Sequence, residues 1–589
     1  MTVPERTADT IPSATLAVAT PESPESAAVA ARHEVRPVVW AAILLAIFAC
    51  WWSTLGADLS DDAHNIALAW RMSLGDAPFV DEMNPQATGS LLAVPFTWLW
   101  TQLFGMTGLV LASRIFFVAV AFGVGFLAYR ALRTTLRPVT AALAVTVPLM
   151  ALPYHLGQIS YNTMPILGLV LGTAAGLAAI FRQDRRWAFV CGAAIAVGVI
   201  SYPLMVIGGV ILLVAVFVLS RRRTIVVSVV LGGLAVSLPF GLWLLVGVGP
   251  SFVAETIRFT LDYQALRLPV VERGRLAFDA YTSYVGLRMY WPMWGAVLVA
   301  ALPMLSIRIR AAAVASVPVL AAVPSVHVVF SGPTGPAFGK LAGIYVTVLS
   351  LALLVPVSLW AIQRQRRDIG GMICLSLPVA LVQVPLVAST SSSGVAWGVH
   401  VIGVCSLLMA LVAGWYEMVA DWLPRARPLF GALLIVTITL LLALKPFKDP
   451  FPWQATTRIS TGAFAGISTD AAGATRINET SAAAERWVEP GDGVLLYGLA
   501  GDYLLTGGDP VTNIMWMGAF GAANQATLDY FERSGRTPNV VFVNRGLVEQ
   551  LGGYDELASR DPLIAYIVAN YHVVDAEASI TTVLRRSRS

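Results

Sequence analysis

The sequence predicts a polytopic all-α membrane domain of about 13 transmembrane helices, followed by a C-terminal extracytoplasmic α/β domain. Three observations predict it. Apolar residues fill 57% of the 589 positions and charged residues only 13%, about half the ~25% usual in soluble domains. Up to residue 446 the apolar residues gather into runs of membrane-crossing length. Beyond that point the chain turns acidic, with 11 basic and 16 acidic residues in 447–589 against 28 and 19 before it. Such a composition excludes a soluble enzyme, a disordered chain and a nucleic-acid binder, because a soluble fold would expose large apolar patches.

Residues 1–36 are rich in Ala, Pro, Ser, Thr and Glu without apolar period, which predicts a disordered cytoplasmic tail. The first apolar run, 37–56, has no small-residue cleavage motif after it and reads as a retained anchor. Further runs lie at 108–129, 139–154, 163–181, 187–200, 203–220, 224–247, 288–306, 311–330, 341–361, 369–388, 396–415 and 429–446. With the N-terminus inside, alternate loops carry Arg130, Arg133 and Arg137, then Arg182, Arg185 and Arg186, then Arg221 to Arg223. Arg308 and Arg310, then Arg364, Arg366 and Arg367, then Arg425 and Arg427 continue the series. All fall on the cytoplasmic side, as the positive-inside rule requires. This parity needs Ser201-Tyr202-Pro203 to break 187–220 into a hairpin. It also needs 88–105, interrupted by Pro95, to be an interfacial or re-entrant helix on the outer face.

The C-terminus then lies outside. In 447–589, helix-like stretches (480–488, 523–533, 562–570) alternate with strand-like ones (494–497, 540–544, 580–585), the rhythm of a small α/β sheet domain. Cys50, Cys191, Cys374 and Cys405 all sit in apolar runs and read as small core hydrophobes rather than a disulfide framework or zinc site.

Chemistry concentrates in the outer loop 57–107, which opens as Asp58-Leu59-Ser60-Asp61-Asp62-Ala63-His64-Asn65 and continues to Asp76, Asp81 and Glu82. Paired carboxylates at a membrane surface suit a general base acting on a hydroxyl, and equally a divalent-cation site. From Asp61 to Met72 the apolar residues Ala63, Ile66, Ala67, Ala69 and Trp70 keep helical spacing. That spacing predicts an amphipathic helix lying on the membrane with Asp61 at its start. An Asp at that position is also an ordinary N-cap.

The run Asp61-Asp62-Ala63-His64 through Met72 and Gly75, then Pro78-Phe79, Phe104-Gly105 and Arg114, resembles the first luminal loop of GT-C glycosyltransferases. Those are polytopic enzymes that take a sugar from a polyprenyl-phosphate carrier. The pattern is similar to the Asp-Glu-x-x-Tyr opening of protein O-mannosyltransferases and lipid A aminoarabinose transferases. The whole architecture is similar to the latter and to cell-wall arabinofuranosyltransferases. By this resemblance Asp61 matches the acid proposed as base. The second acid is Asp62 where the pattern has Glu, and Asn65 stands near its aromatic position, so the base is Asp61 or Asp62.

The resemblance implies a polyprenyl-phosphate sugar donor, a glycan, lipid or protein acceptor, and a multi-pass plasma-membrane enzyme with its site outside. The departing phosphate needs a cation. Arg114, set inside a predicted helix, is one candidate; it can equally salt-bridge the carboxylates. Lys340, after the loop Ser331-Gly332-Pro333-Thr334-Gly335-Pro336, is the other. A divalent cation on Asp61 or Asp62 is a further expectation. Asp81, Glu82, His64 and His155 are candidate substrate contacts, His155 together with Gln158, Tyr161 and Asn162 in a short polar outer loop. The mixed-charge loop 249–287 is a candidate cover, with Tyr281, Tyr284, Tyr290 and Trp291 available to stack on a sugar. Two rival readings are a lipid or glycan transporter and a non-catalytic envelope-assembly protein. A transporter would carry ionisable residues deep in mid-membrane helices; here nearly all charges lie near helix ends.

Overall fold

The computed structural model describes residues 24–151, 157–265, 269–285, 288–331, 341–390, 400–444, 451–576, 578 and 580–587. His155 and Lys340 lie outside them. The outer and membrane segments contain α1 (Pro24–Ser53), α2 (Asp61–Ser73), α3 (Val94–Phe104), α4 (Leu109–Leu132), α5 (Pro138–Met150) and α6 (Met164–Arg182). Next come α7 (Arg185–Ser201), α8 (Met205–Ser220), α9 (Arg223–Leu242), α10 (Pro250–Ala265), α11 (Val270–Val285) and α12 (Trp291–Ala301). The last are α13 (Ile307–Ser331), α14 (Leu341–Gln363), α15 (Arg367–Thr390), α16 (His400–Trp422) and α17 (Arg427–Leu444).

Every predicted apolar run forms a helix, but they differ in length. Among the described residues eight helices are long and apolar enough to cross a bilayer, and three apolar ones (in α5, α8 and α17) are shorter. The expected span at 288–306 shrinks to the eleven residues of α12, with Pro292 in its first turn. The chain is thus a multi-pass membrane protein. Helix α1 begins at Pro24, inside the segment expected as a disordered tail. The predicted hairpin is present, since α7 ends at Ser201 and α8 starts at Met205. The outer segment 88–105 forms a 3₁₀ stretch, Pro85–Ala93, and then α3. At 1.5 Å per residue α3 is about 16 Å long, half of what a crossing needs.

Small residues let the helices approach. A Cβ on Gly192 of α7 would lie 1.8 Å from the Val229 carbonyl oxygen of α9, so the two backbones touch at the crossing. Cys191 and Cys405 are buried as expected, whereas Cys50 and Cys374 face outward.

The loops sort to two ends. At one, Arg366 holds Glu417 at 3.0 Å and Asp368 at 2.7 Å, Arg137 lies 3.7 Å from Glu417, and Thr140 donates to Glu417. Arg364 pairs with Asp421 at 2.9 Å. These are the loops predicted to share one side. Helix α4, 24 residues and about 36 Å long, leads from there to the other end, where the C-terminal domain sits.

That domain begins with the antiparallel pair β1 (Thr457–Arg458) and β2 (Ser468–Thr469). Helix α18 (Ala471–Trp487) then leads into β3 (Gly493–Tyr497), α19 (Tyr503–Thr506), β4 (Asp509–Pro510), α20 (Gln525–Ser534) and β5 (Val540–Asn544). It closes with α21 (Arg545–Gln550), α22 (Gly553–Ala558), α23 (Pro562–Asn570), β6 (Tyr571–Asp575) and β7 (Thr581–Arg586). The five-stranded sheet runs β4-β3-β5-β7-β6. β3 is parallel to β4 and β5, with Val494 opposite Val540, and β7 is antiparallel to β5 and β6. All six predicted elements are present. The short β4 and the strand β6 were not legible.

One sheet face carries Leu495, Tyr497, Val541 and Val543 against α20 and α23. The other carries Val494, Leu496, Val540 and Phe542, packed with Ile477 of α18 and with Ala63, Ile66, Ala67 and Trp70 of α2. The outer loop is therefore part of the core of the C-terminal domain. Backbone bonds fasten the two further: Gly56 N to Ser468 O at 2.9 Å, Ser468 N to Thr54 O at 2.7 Å and Val110 N to Ala463 O at 3.0 Å.

Candidate active site

Helix α2 starts where Asp58 turns the chain. Its carboxylate accepts from Ser60 N at 2.9 Å, from the Ser60 hydroxyl and from Asp62 N at 3.0 Å, satisfying donors that the helix start leaves open. Residues Asp62 to Met72 are all buried. The expected amphipathic helix on the membrane is instead an interior helix, because the C-terminal domain packs on Ala63, Ile66, Ala67 and Trp70 and also meets His64 and Arg71.

The two central acids part here. Asp62 is buried and bound to Arg114, which gives it Nε at 2.9 Å and also Nη2. The remaining Arg114 donors reach the carbonyls of Ser53, Leu55 and Gly56 at 2.9–3.1 Å. All five guanidinium donors are thereby engaged. Arg114 clamps the end of α1 to the start of α2 through the carboxylate salt bridge that was one of its two expected roles. Burial pushes the Asp62 carboxyl above its usual range; Arg114 opposes this and Asp58 adds to it. A guanidinium on the same carboxylate repels a dication, so the predicted Asp61–Asp62 metal pair does not fit this geometry. Among the described residues no three His, Cys, Asp or Glu side chains converge as metal ligands.

Asp61 is half-buried in the first turn of α2. Its carbonyl accepts from Asn65 Nδ2 at 2.6 Å and Gln158 Nε2 at 3.2 Å, which brings the polar outer loop 157–163 onto the start of α2. Among the described residues Asn65 Oδ1 and Gln158 Oε1, on the two side chains that hold the Asp61 carbonyl, are buried with no hydrogen-bond partner, as are both side-chain polar atoms of Asn162 in the same loop. Buried polar atoms are nearly always satisfied, which makes these atoms candidate contacts for water or a polar ligand.

The other predicted contacts do different work. Glu82 accepts from Arg71 Nη1 at 2.8 Å and Met515 N at 2.9 Å. Arg71 also binds Asp76 at 2.7 Å and the Thr512 carbonyl at 2.6 Å. Asp81 accepts from Tyr530 OH at 3.0 Å and from Ala77 N at 2.8 Å. Arg536 reaches Asp76 at 2.8 Å. Asp81 and Glu82 thus latch the outer loop to the C-terminal domain. Burial holds the Glu82 carboxyl up to about 7 against the pull of Arg71. His64 is buried with its ring edge-on to Trp516, centroids 4.9 Å apart. Burial pushes its pKa down to about 3, so it is a neutral packing group rather than a substrate contact.

From the candidate cover, Thr256 of α10 donates to the Phe79 carbonyl at 3.2 Å, and Glu255 pairs with Arg533 at 2.7 Å. Tyr290 is fully buried and bonds Ser325 at 3.1 Å, so it is unavailable to a sugar, whereas Trp291 is exposed. The Tyr281 and Tyr284 side chains lie outside the described ones. Sequence reasoning missed Trp516, Arg476 and Asp502, which line or support a cleft of about 1260 Å³ between residues 57–60 and the C-terminal domain. Their only signal was position: both Trp516 and Asp502 follow the strand β3 in the predicted sheet.

No protein-family model matches the chain, and no curated protein does. Solved structures resemble it in overall arrangement. The archaeal oligosaccharyltransferase AglB from Archaeoglobus fulgidus, in complex with an inhibitory peptide and a dolichol-phosphate, aligns with 93% of this chain and 74% of its own. Identity is 11% and the TM-score 0.46. ArnT from Cupriavidus metallidurans, bound to undecaprenyl phosphate, aligns with 94% of this chain and 98% of its own, at 14% identity and a TM-score of 0.43.

Proposed function

We propose that the chain is a membrane glycosyltransferase that moves a hexosyl or pentosyl group from a polyprenyl-phosphate donor to an acceptor hydroxyl on the outer face. The observation that carries this reading is the half-buried Asp61, whose carbonyl is held by Asn65 and Gln158, each with a buried, unpartnered side-chain oxygen. A sugar offers the alternating donors and acceptors those atoms lack. The site lies where α1 ends, the depth at which a lipid-linked phosphate would present its sugar.

In this mechanism Asp61 takes the proton of the acceptor hydroxyl. The oxygen attacks the anomeric carbon, the bond from that carbon to the phosphate oxygen breaks, and the lipid phosphate leaves with the electron pair. Inversion follows from a single displacement. Asp62 supports Asp61 by fixing the start of α2 through Arg114. With Arg114 engaged, Lys340 is the cation we assign to the departing phosphate, and Lys340→Ala should lower kcat more than it raises the donor KM.

The test is the envelope glycan linkage profile of a deletion strain complemented with wild type or Asp61→Asn. One linkage should vanish and return only with wild type, since general-base catalysis contributes about 10²–10⁴-fold. Equal restoration by an Asp61→Asn protein present at normal levels would overturn the mechanism.

A further inference from the structure

The cleft between the outer loop and the C-terminal domain does not have Asp61 in its lining. It opens at the C-terminal ends of the parallel strands β3 and β5, marked by Gly498 and Asn544. In parallel sheets this is where diverging loops leave room for a ligand. Its about 1260 Å³ exceeds the ~300–1,000 Å³ of a small-molecule pocket, so it accommodates more than one ring. Asp58 to Ser60 form one wall, and Asp61 follows directly.

The lining selects the ligand. Arg476 of α18 is fixed by its Nη2, which reaches both oxygens of the fully buried Asp502 at 3.1 and 3.3 Å. Its Nε is buried with no partner. Trp516 is half-buried in the wall, with its ring nearly perpendicular to that of His64. Trp516, Arg476 and the exposed Glu479 all line the cleft, and an aromatic ring together with charged hydrogen-bonding groups is the combination that packs on the C–H face of a sugar ring and bonds its hydroxyls. Asp58, Asp470 and Glu479 outnumber the single Arg476 in the lining, which disfavours an anion. A peptide would pair along a free strand edge, and the cleft offers strand ends instead.

We propose that this cleft binds a neutral oligosaccharide and holds it as the acceptor, with one end beside Asp61. The acceptor role rests on the transfer reading above; saccharide binding does not.

The experiment is calorimetric titration of the full-length protein in nanodiscs. The probes are linear hexasaccharides of glucose, mannose, galactose and arabinose, with a neutral hexapeptide and inorganic phosphate as comparators. At least one hexasaccharide should bind, and Trp516→Ala and Thr475→Trp should each weaken it tenfold or more. Thr475 is exposed on α18 and lines the cleft, so its Trp variant fills the space without touching the packing of His64. The Asp61→Asn protein should bind as wild type does. Binding of no hexasaccharide, binding unaffected by Thr475→Trp, or binding of the hexapeptide or phosphate alone overturns the proposal. Saccharide binding in a chain whose Asp61→Asn variant still transfers sugar overturns the catalytic reading and leaves this site standing.

Discussion

Asp61 and Asp62 are adjacent in sequence and differ in what surrounds them. Asp62 is bound by a clamp that uses every donor of Arg114, whereas Asp61 keeps partial exposure. Removing one partner of a buried ion pair leaves the other charge uncompensated, a loss of about 3–5 kcal/mol. Arg114→Ala should therefore lower the melting temperature sharply and abolish activity together. Asp61→Asn should abolish activity while melting as wild type does. Equal melting of the two variants would remove the distinction. His64 makes a second prediction. Its folded pKa, about 3, lies below the ordinary 6.5. The unfolded chain therefore takes up the proton first as pH falls. The stability from the neutral ring is complete above about 6.5 and is lost progressively towards 3. His64→Phe keeps the ring against Trp516 and should reduce the drop in melting temperature between pH 7 and pH 5. An unchanged drop would place the acid sensitivity elsewhere.

Helix α2 shows at the next scale what joins loop and domain. The carbonyl of Leu59 lies 2.2 Å from where a Cβ on Gly501 would stand, so only glycine permits this contact. Gly501→Ala should destabilise by about 1–3 kcal/mol through overpacking and should expose the 57–60 segment to protease. Wild-type protease resistance in that variant would show that the contact yields freely. The helix itself was legible from its spacing, and so was Asp61 at its start. Its burial was not, because Ala63, Ile66, Ala67 and Trp70 find their partners more than 400 positions away in β3 and β5. For the same reason Asp81 and Glu82 looked like free carboxylates: Tyr530, Arg536 and Met515 are remote in sequence. The apolar runs needed no such information, since the lipid partner is uniform and composition alone states the requirement. The regular strands β3, β5 and β7 were read correctly from their apolar residues. The two residues of β4 and the largely outward-facing β6 carry too little pattern to be read.

At the scale of the whole molecule, one end gathers Arg137, Arg364 and Arg366 around Glu417 and Asp421, and the other carries an acidic sheet domain locked onto the first loop. We propose that the Arg-rich end of this axis lies in the cytoplasm, the orientation that the arginine bias of the sequence favours. The mechanism depends on that orientation, because a sugar delivered on a lipid phosphate from the outer leaflet meets Asp61 only if the domain lies outside. Both ends present exposed positions for a direct check: Arg222 before α9 and Glu479 on α18. In a background lacking the four native cysteines, Glu479→Cys should react with a membrane-impermeant maleimide in intact cells. Arg222→Cys should react only after permeabilisation. The reverse pattern would put Asp61 on the cytoplasmic face and end the lipid-phosphate reading. Labelling of both in intact cells would overturn the odd number of crossings expected between residues 222 and 479, in which the short α12 is counted as a span.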